Sequence, residues 1–161
     1  MIGAAAATRP WSGVERELRG LLPAAASRTE RMRAFVSACW PHLAPTGVSW
    51  IGFYERDPAS ADRLLLAARE PKPACSPIGL HGACGQSLVA ARPLVVRDVA
   101  DLGAGYIACD PRDRSEVVVP CLDGPGHAWG VLDLDSHDLA SFGDQDAQEL
   151  ARLLRLAGLS T

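Results

Sequence analysis

The sequence predicts an α+β fold: a central antiparallel sheet of about six strands, with the N- and C-terminal helices packed on one face. Three observations predict it. Apolar residues recur at helical spacing at both ends of the chain, short β-branched and aromatic runs fill the middle, and no regular alternation of strand and helix joins them. With 161 residues and 48% apolar composition, the chain suits a single core.

Residues 1–12 carry no periodic signal and are expected to form a flexible tail, with residues 13–161 forming the single domain. The first helix is expected over residues 14–22, where Val14, Leu18, Leu21 and Leu22 share a face, and Pro23 stops it. A second helix is expected over residues 29–40. Met32, Phe35, Val36 and Cys39 make its apolar face, Thr29 is the expected N-cap and Pro41 the expected end.

The run VSWIGFY (48–54) has strand composition and is closed by the turn-forming DPAS. Period 2 puts Trp50, Gly52 and Tyr54 on one face and Ile51 and Phe53 on the other. Residues 64–69 form its partner strand. Residues 70–85, EPKPACSPIGLHGACG, hold three prolines, three glycines and two cysteines, which predicts an irregular functional or mobile loop.

A short helix is expected over residues 86–91, then a strand over 93–96 and a second loop over 98–114 that carries Cys109. Residues 115–122 and 128–134 read as strands joined by DGPGH. The last helix is expected over residues 143–156, where Ala147, Leu150, Leu153, Leu154 and Leu156 form a stripe behind Asp144 and Asp146. Terminal helices on one face leave the loops to roof the other, where a ligand pocket would form.

Charge narrows the function classes. Sixteen basic and nineteen acidic residues give a net charge of −3, so no overall field recruits nucleic acid or an anionic membrane. The opening MIGAAAATRP lacks a basic n-region and a long apolar stretch, so the expected location is the cytoplasm. Five cysteines without a CxxC pair, in a reducing compartment, point to buried thiols, metal ligands or redox catalysts.

The candidate chemistry gathers around residues 106–120, YIACDPRDRSEVVVP, where Cys109 and Glu116 flank a charged loop. On the strand HAWGVLDLDS, Trp129, Val131, Asp133 and Asp135 share one face, and Gly130, Leu132 and Leu134 the other. Glu116 shares a face with Val118 and Pro120. If the two strands are neighbours, three carboxylates converge beside the Cys109 loop. Ionised, they would accept from an ammonium group; protonated, one could donate. The alternative is that these strand-end acids solvate an edge.

Cys75, Cys84 and Cys109 fall on predicted loops and are the candidates for reactivity, against the alternative of inert thiols; Cys39 and Cys121 fall on core positions. His81 with those three cysteines could form a tetrahedral zinc set, but the gap from Cys75 to Cys84 is wider than in common zinc knuckles. No GxSxG elbow supports a serine hydrolase. Trp50 and Tyr54 are either core aromatics or an aromatic wall for a small ligand.

Six motifs in order, SWIGFY (49–54), KPAC (72–75), GACG (82–85), IACD (107–110), SEVVVP (115–120) and GVLDLDS (130–136), resemble the free methionine-(R)-sulfoxide reductases, which are built on a GAF domain. The resemblance covers about residues 27–157. It implies reduction of the free amino acid methionine (R)-sulfoxide by a cytoplasmic homodimer, recycled by thioredoxin or a similar dithiol, without metal or organic cofactor. It implies Cys109 as nucleophile, Cys75 as principal resolving cysteine and Cys84 as an alternative thiol. It places Glu116, Asp133 and Asp135 around the substrate's polar end or sulfoxide oxygen, and Trp50 and Tyr54 around its methyl-sulfur end. Tyr106 departs from the family's common His, and the segment between Cys75 and Cys84 is one residue shorter than usual.

The residues fit that chemistry. A Cys109 thiolate attacking the sulfoxide sulfur ends as a sulfenic acid, which Cys75 condenses to a disulfide. Three carboxylates beside a thiol should nevertheless raise its pKa, which calls for an offset from the substrate ammonium, Arg112, Arg114 or backbone N–H groups. The rival reading is a noncatalytic GAF small-molecule-binding module or thiol redox sensor.

Overall fold

Ser27 and Glu30 fix where the long N-terminal helix begins. The Ser27 hydroxyl accepts from the Glu30 N–H at 3.1 Å and the Glu30 carboxylate accepts from the Ser27 N–H at 2.9 Å, a capping box that opens α2 (Arg28–Leu43). The cap is therefore Ser27, not Thr29. Pro41 does not end the helix: the Ala44 N–H still reaches the Trp40 carbonyl, and fully buried Leu43 holds the last turn. These observations come from a computed structural model that describes residues 8–25, 27–106 and 109–161.

Helix α1 spans Trp11–Leu21 and buries Trp11, Val14 and Leu18. The expected tail to residue 12 is thus too long, and residues 1–7 lie outside the described residues. Arg9 explains the early start. Its buried guanidinium donates to Asp146 at 2.9 Å, to the carbonyl and hydroxyl of Ser141 at 3.0 Å each and to Thr46 at 3.1 Å.

Six antiparallel strands form one sheet: β1 (Val48–Arg56), β2 (Arg63–Glu70), β3 (Ile78–Gly79), β4 (Leu94–Val96), β5 (Ser115–Gly124) and β6 (His127–Ser136), in the spatial order β3-β2-β1-β6-β5-β4. Ile51, Phe53, Val117, Val119, Leu132 and Leu134 face α1, α2 and the C-terminal α4 (Asp144–Leu156) in the main core. Each such aliphatic or aromatic side chain contributes about 1.5–3 kcal/mol when fully buried. Terminal helices on one face of an antiparallel sheet are thus the observed architecture.

The opposite face carries Trp50, Tyr54, Val118 and Val131, which pack against a second, smaller cluster. Its roof is not only loop. Helix α3 (Ala83–Ala90) begins three residues before its expected start and lies over β5 and β6, with Ala83, Cys84 and Leu88 buried beneath it. Gly85 permits this: a Cβ there would overlap the Leu80 backbone. The segment before α3 also contains the short edge strand β3, where only irregular chain was expected.

Trp129 departs from the period-2 expectation. Between Cys121 opposite Gly130 and Leu122 opposite Ala128 the register slips, which inserts Trp129 as an extra residue and turns it to the helical face. There Arg28 stacks on its ring at 4.0 Å and its indole N–H donates to the Leu159 carbonyl. Asp133 and Asp135 lie past the slip and keep their expected face.

Candidate active site

Three neighbouring strands build the floor of the site. Glu116 of β5 is paired with Asp135 of β6, and Val118 with Asp133, so one carboxylate from β5 meets two from β6. One carboxylate oxygen from each of the three lies within 4.8 Å of the others. On the other side of β6, Trp50 of β1 pairs with Asp135 and Tyr54 with Val131. The Trp50 indole lies along β1 over Gly52, where a Cβ would strike the ring, and its centroid is 6.1 Å from that of Tyr54. The expected convergence of acids and aromatics therefore holds.

A cavity of about 40 Å³ stands on this floor, walled by Cys84 of α3, by Ala74 and Ile78, and by Tyr106, Cys109 and Asp113 of the second loop. A second recess of about 110 Å³ shares Trp50, Ala74, Cys109, Asp113 and Asp135 with it and reaches out to Lys72 and Asp110. At this mouth Cys75 and Cys109, both exposed, form a disulfide across 34 residues of sequence, with their Cα atoms 5.6 Å apart.

The aromatic wall holds the Cys75 segment in place. Trp50 Nε1 donates to the Lys72 carbonyl at 2.8 Å and the Tyr54 hydroxyl to the Cys75 carbonyl at 2.8 Å. On the facing loop, Asp110 Oδ1 accepts from the Arg112 N–H and Nε, and its Oδ2 from Arg112 Nη2 at 2.9 Å and Lys72 Nζ at 3.2 Å. Those contacts hold the Asp110 carboxyl well below the usual carboxylate range, the Arg112 hydrogen bonds being the main cause.

The floor is pushed the other way. Burial raises the pKa of Glu116, Asp133 and Asp135, and for the two aspartates like-charged neighbours add to it. Glu116 rises least, because its hydrogen bonds with both aspartates oppose the cost of burial. Each shift favours the neutral acid over the anion, so the three act as one coupled set that holds protons more tightly than exposed carboxyls do. Among the described residues, Asp133 Oδ1 is a buried oxygen without a hydrogen-bond partner. Raised pKa values lessen the negative charge that the three acids set beside a neighbouring thiol without abolishing it.

The cysteines divide in two. Cys39 and Cys121 are buried in the main core, and burial pushes both thiols up. Cys84 lines the cavity as a free, buried thiol; burial first, then the carboxylates of Asp133, Glu116 and Asp135, raise it well above the ordinary range. Cys75 and Cys109 alone are exposed and joined. The zinc set of His81 with three cysteines is not brought together: among the described residues, the groups of three or more potential ligands within reach of one another are Glu116, Asp133 and Asp135, and Asp110, Asp113 and His137.

Sequence reasoning missed Lys72, Asp110, Asp113 and His137 as neighbours of the site. Asp113 accepts from Ser49 at 3.3 Å and sits 3.6 Å from His137, which is 3.5 Å from Asp110. DPRD (110–113) reads as a turn, and it is one: the Arg112 N–H bonds the Asp110 side chain. No periodicity reveals that the same acids reach Lys72 and His137 from other parts of the chain.

The sequence profile of the GAF domain matches residues 25–160. The solved structure of free methionine-R-sulfoxide reductase from Neisseria meningitidis in complex with its substrate superposes with a TM-score of 0.78 at 31% identity, covering 94% of this chain and 90% of that one. Free methionine-R-sulfoxide reductase of Saccharomyces cerevisiae is 33% identical over 114 residues, 70% of this chain and 63% of the relative. The Escherichia coli protein of the same name is 36% identical over 111 residues, 68% of this chain and 64% of the relative. The chain thus spans just under two thirds of these two curated relatives. A profile that covers residues 25–160 and a solved relative aligned over nearly its whole length agree, and the chain belongs to the free methionine-R-sulfoxide reductase family of GAF-domain proteins.

Proposed function

We propose that the protein reduces free L-methionine (R)-sulfoxide to methionine, with Cys109 as nucleophile, Cys75 as resolving cysteine and a thioredoxin-type dithiol as reductant. The observation that carries this reading is the exposed Cys75–Cys109 disulfide at the mouth of a cavity floored by three carboxylates of raised pKa. The reductases named among the relatives support the substrate class.

The chemistry follows from the residues. Substrate sits with its ammonium on Glu116, whose anion is favoured by its hydrogen bonds with Asp133 and Asp135, and its methyl-sulfur end against Trp50 and Tyr54. A protonated aspartate, Asp133 or Asp135, donates to the sulfoxide oxygen while the Cys109 sulfur attacks the sulfoxide sulfur. As the Cys109–substrate S–S bond forms, the substrate S–O bond breaks and the oxygen leaves as water with the aspartate and thiol protons. Water then attacks the Cys109 sulfur and returns a proton to the aspartate, the S–S bond breaks, methionine leaves as the thioether carrying the two electrons, and Cys109 is left as sulfenic acid. Cys75 condenses with it, water leaves, and the exposed disulfide is reopened by dithiol exchange. No step calls on a metal or organic cofactor. Assembly as a cytoplasmic homodimer belongs to the same proposal and is checked by light scattering.

The test is NADPH oxidation coupled through thioredoxin and its reductase. Turnover should require free methionine (R)-sulfoxide, fail with the (S) epimer, and vanish in Cys109→Ser; activity surviving that change removes Cys109 from the role. Peroxide-driven formation of the disulfide without any sulfoxide turnover would instead favour the redox-sensor reading.

A further inference from the structure

We propose that Lys72 and Asp110 are positioning residues for disulfide formation: their ion pair latches the segment that carries Cys75 onto the loop that carries Cys109. The inference rests on the reductase reading and concerns its second step. In that step the Cys75 sulfur attacks the Cys109 sulfur of the sulfenic acid, the S–O bond breaks, and the oxygen leaves as water with the Cys75 proton; Cys75 is oxidised and the sulfenic sulfur reduced to the disulfide level.

The geometry is specific to this step. Lys72 precedes Cys75 by three residues and Asp110 follows Cys109 directly, so a contact between their side chains brings the two sulfur-bearing segments together. Lys72 Nζ lies 3.2 Å from Asp110 Oδ2. Asp110 is a prepared anion: Arg112 grips it through three donors, and its side chain is only 15% exposed. The Cys75 segment is already held from below by Trp50 on the Lys72 carbonyl and Tyr54 on the Cys75 carbonyl. On the other side Ser76 Oγ accepts from the Leu66 N–H of β2 at 3.0 Å, and the ion pair adds a restraint toward the Cys109 loop. Without it, an exposed Cys109 sulfenic acid would wait longer for its partner and be open to further oxidation. Because the Lys72 side chain is half exposed, the effect on rate is a few-fold and salt-sensitive.

The experiment uses the reduced full chain in a single turnover with excess free methionine (R)-sulfoxide. Methionine, the dimedone adduct of the sulfenic acid and the disulfide are each followed by mass spectrometry. In Lys72→Ala the disulfide should form roughly three- to fivefold more slowly, with more dimedone adduct and a methionine burst at the wild-type rate. Lys72→Arg should restore the rate, and added salt should slow wild type but not Lys72→Ala. The proposal is overturned if Lys72→Ala closes the disulfide at the wild-type rate, if it slows the methionine burst instead, or if salt affects both proteins alike. Should wild type release no methionine, the reductase reading fails on its own. The latch is then decided by generating the sulfenic acid with hydrogen peroxide and comparing the same closure rates.

Discussion

Glu116 and Asp135 stand directly opposite each other on adjacent antiparallel strands, with Asp133 diagonal to Glu116 on the same face. Facing carboxylates on a sheet repel when both are ionised, so the arrangement is stable only while protons are shared among them. That sharing divides the labour, because Glu116 is the least raised of the three.

Replacing Glu116 by Gln keeps shape and removes the anion. If Glu116 holds the substrate ammonium, KM should rise by about 10- to 100-fold, the cost of one charged hydrogen bond, with a smaller fall in kcat. Steady-state kinetics on the Glu116→Gln protein check this. A fall in kcat at unchanged KM would move Glu116 from binding to proton transfer.

The raised pKa values also make stability depend on pH in a definite direction. An acid whose folded pKa lies above its unfolded value binds more protons when folded, so stability falls as pH rises through the unfolded value of about 4 and levels off only above the folded one. Asp133→Asn removes the ionising group from a buried position of the floor. The variant should melt a few degrees higher than wild type at pH 8, by about 0.5–2 kcal/mol, and should lose that advantage near pH 4. Urea melts at the two pH values read it out; an equal difference at both would show that Asp133 is ionised in the folded protein.

Most of this floor was legible in the sequence, because period 2 needs only a strand and its neighbour to place Asp133, Asp135, Glu116, Trp50 and Tyr54. Trp129 escaped the same rule because a single inserted residue reverses a face, and no local signal marks the slip. Lys72 and Asp110 escaped for a different reason. Each is an ordinary charged residue in irregular chain, and their meeting is a product of two loops crossing. Arg9 falls in the expected tail because one arginine after a run of alanines looks like a solvated end; its partners Thr46, Ser141 and Asp146 lie far along the chain.

That buried arginine gives a stability prediction away from the site. Asp146 accepts both from Arg9 and from the Gly143 N–H at the start of α4, so it closes the N-terminal segment and caps the last helix at once. Arg9→Met should destabilise the protein by about 3 kcal/mol, because it leaves the enclosed carboxylate without its cation. Adding Asp146→Asn to Arg9→Met should recover part of the loss, a non-additivity that urea melts of the single and double variants measure. Strict additivity would mean that the two side chains act independently.

The last prediction separates the cysteines by what the site does to each. Cys75 is exposed and bonded to Cys109, whereas Cys84 is a buried thiol whose ionisation is opposed first by burial and then by three acids. A thiol in that position is a poor nucleophile toward the Cys109 sulfenic acid and is hidden from a protein reductant. Cys75→Ser should therefore release a single burst of methionine and then stall when thioredoxin is the only reductant. Cys84→Ala should keep steady-state turnover within about threefold of wild type, since it removes neither exposed sulfur. Both are read from methionine released per enzyme over time. If Cys84→Ala stalls as Cys75→Ser does, Cys84 carries electrons between Cys75 and the reductant, and helix α3 must open during each cycle to expose it.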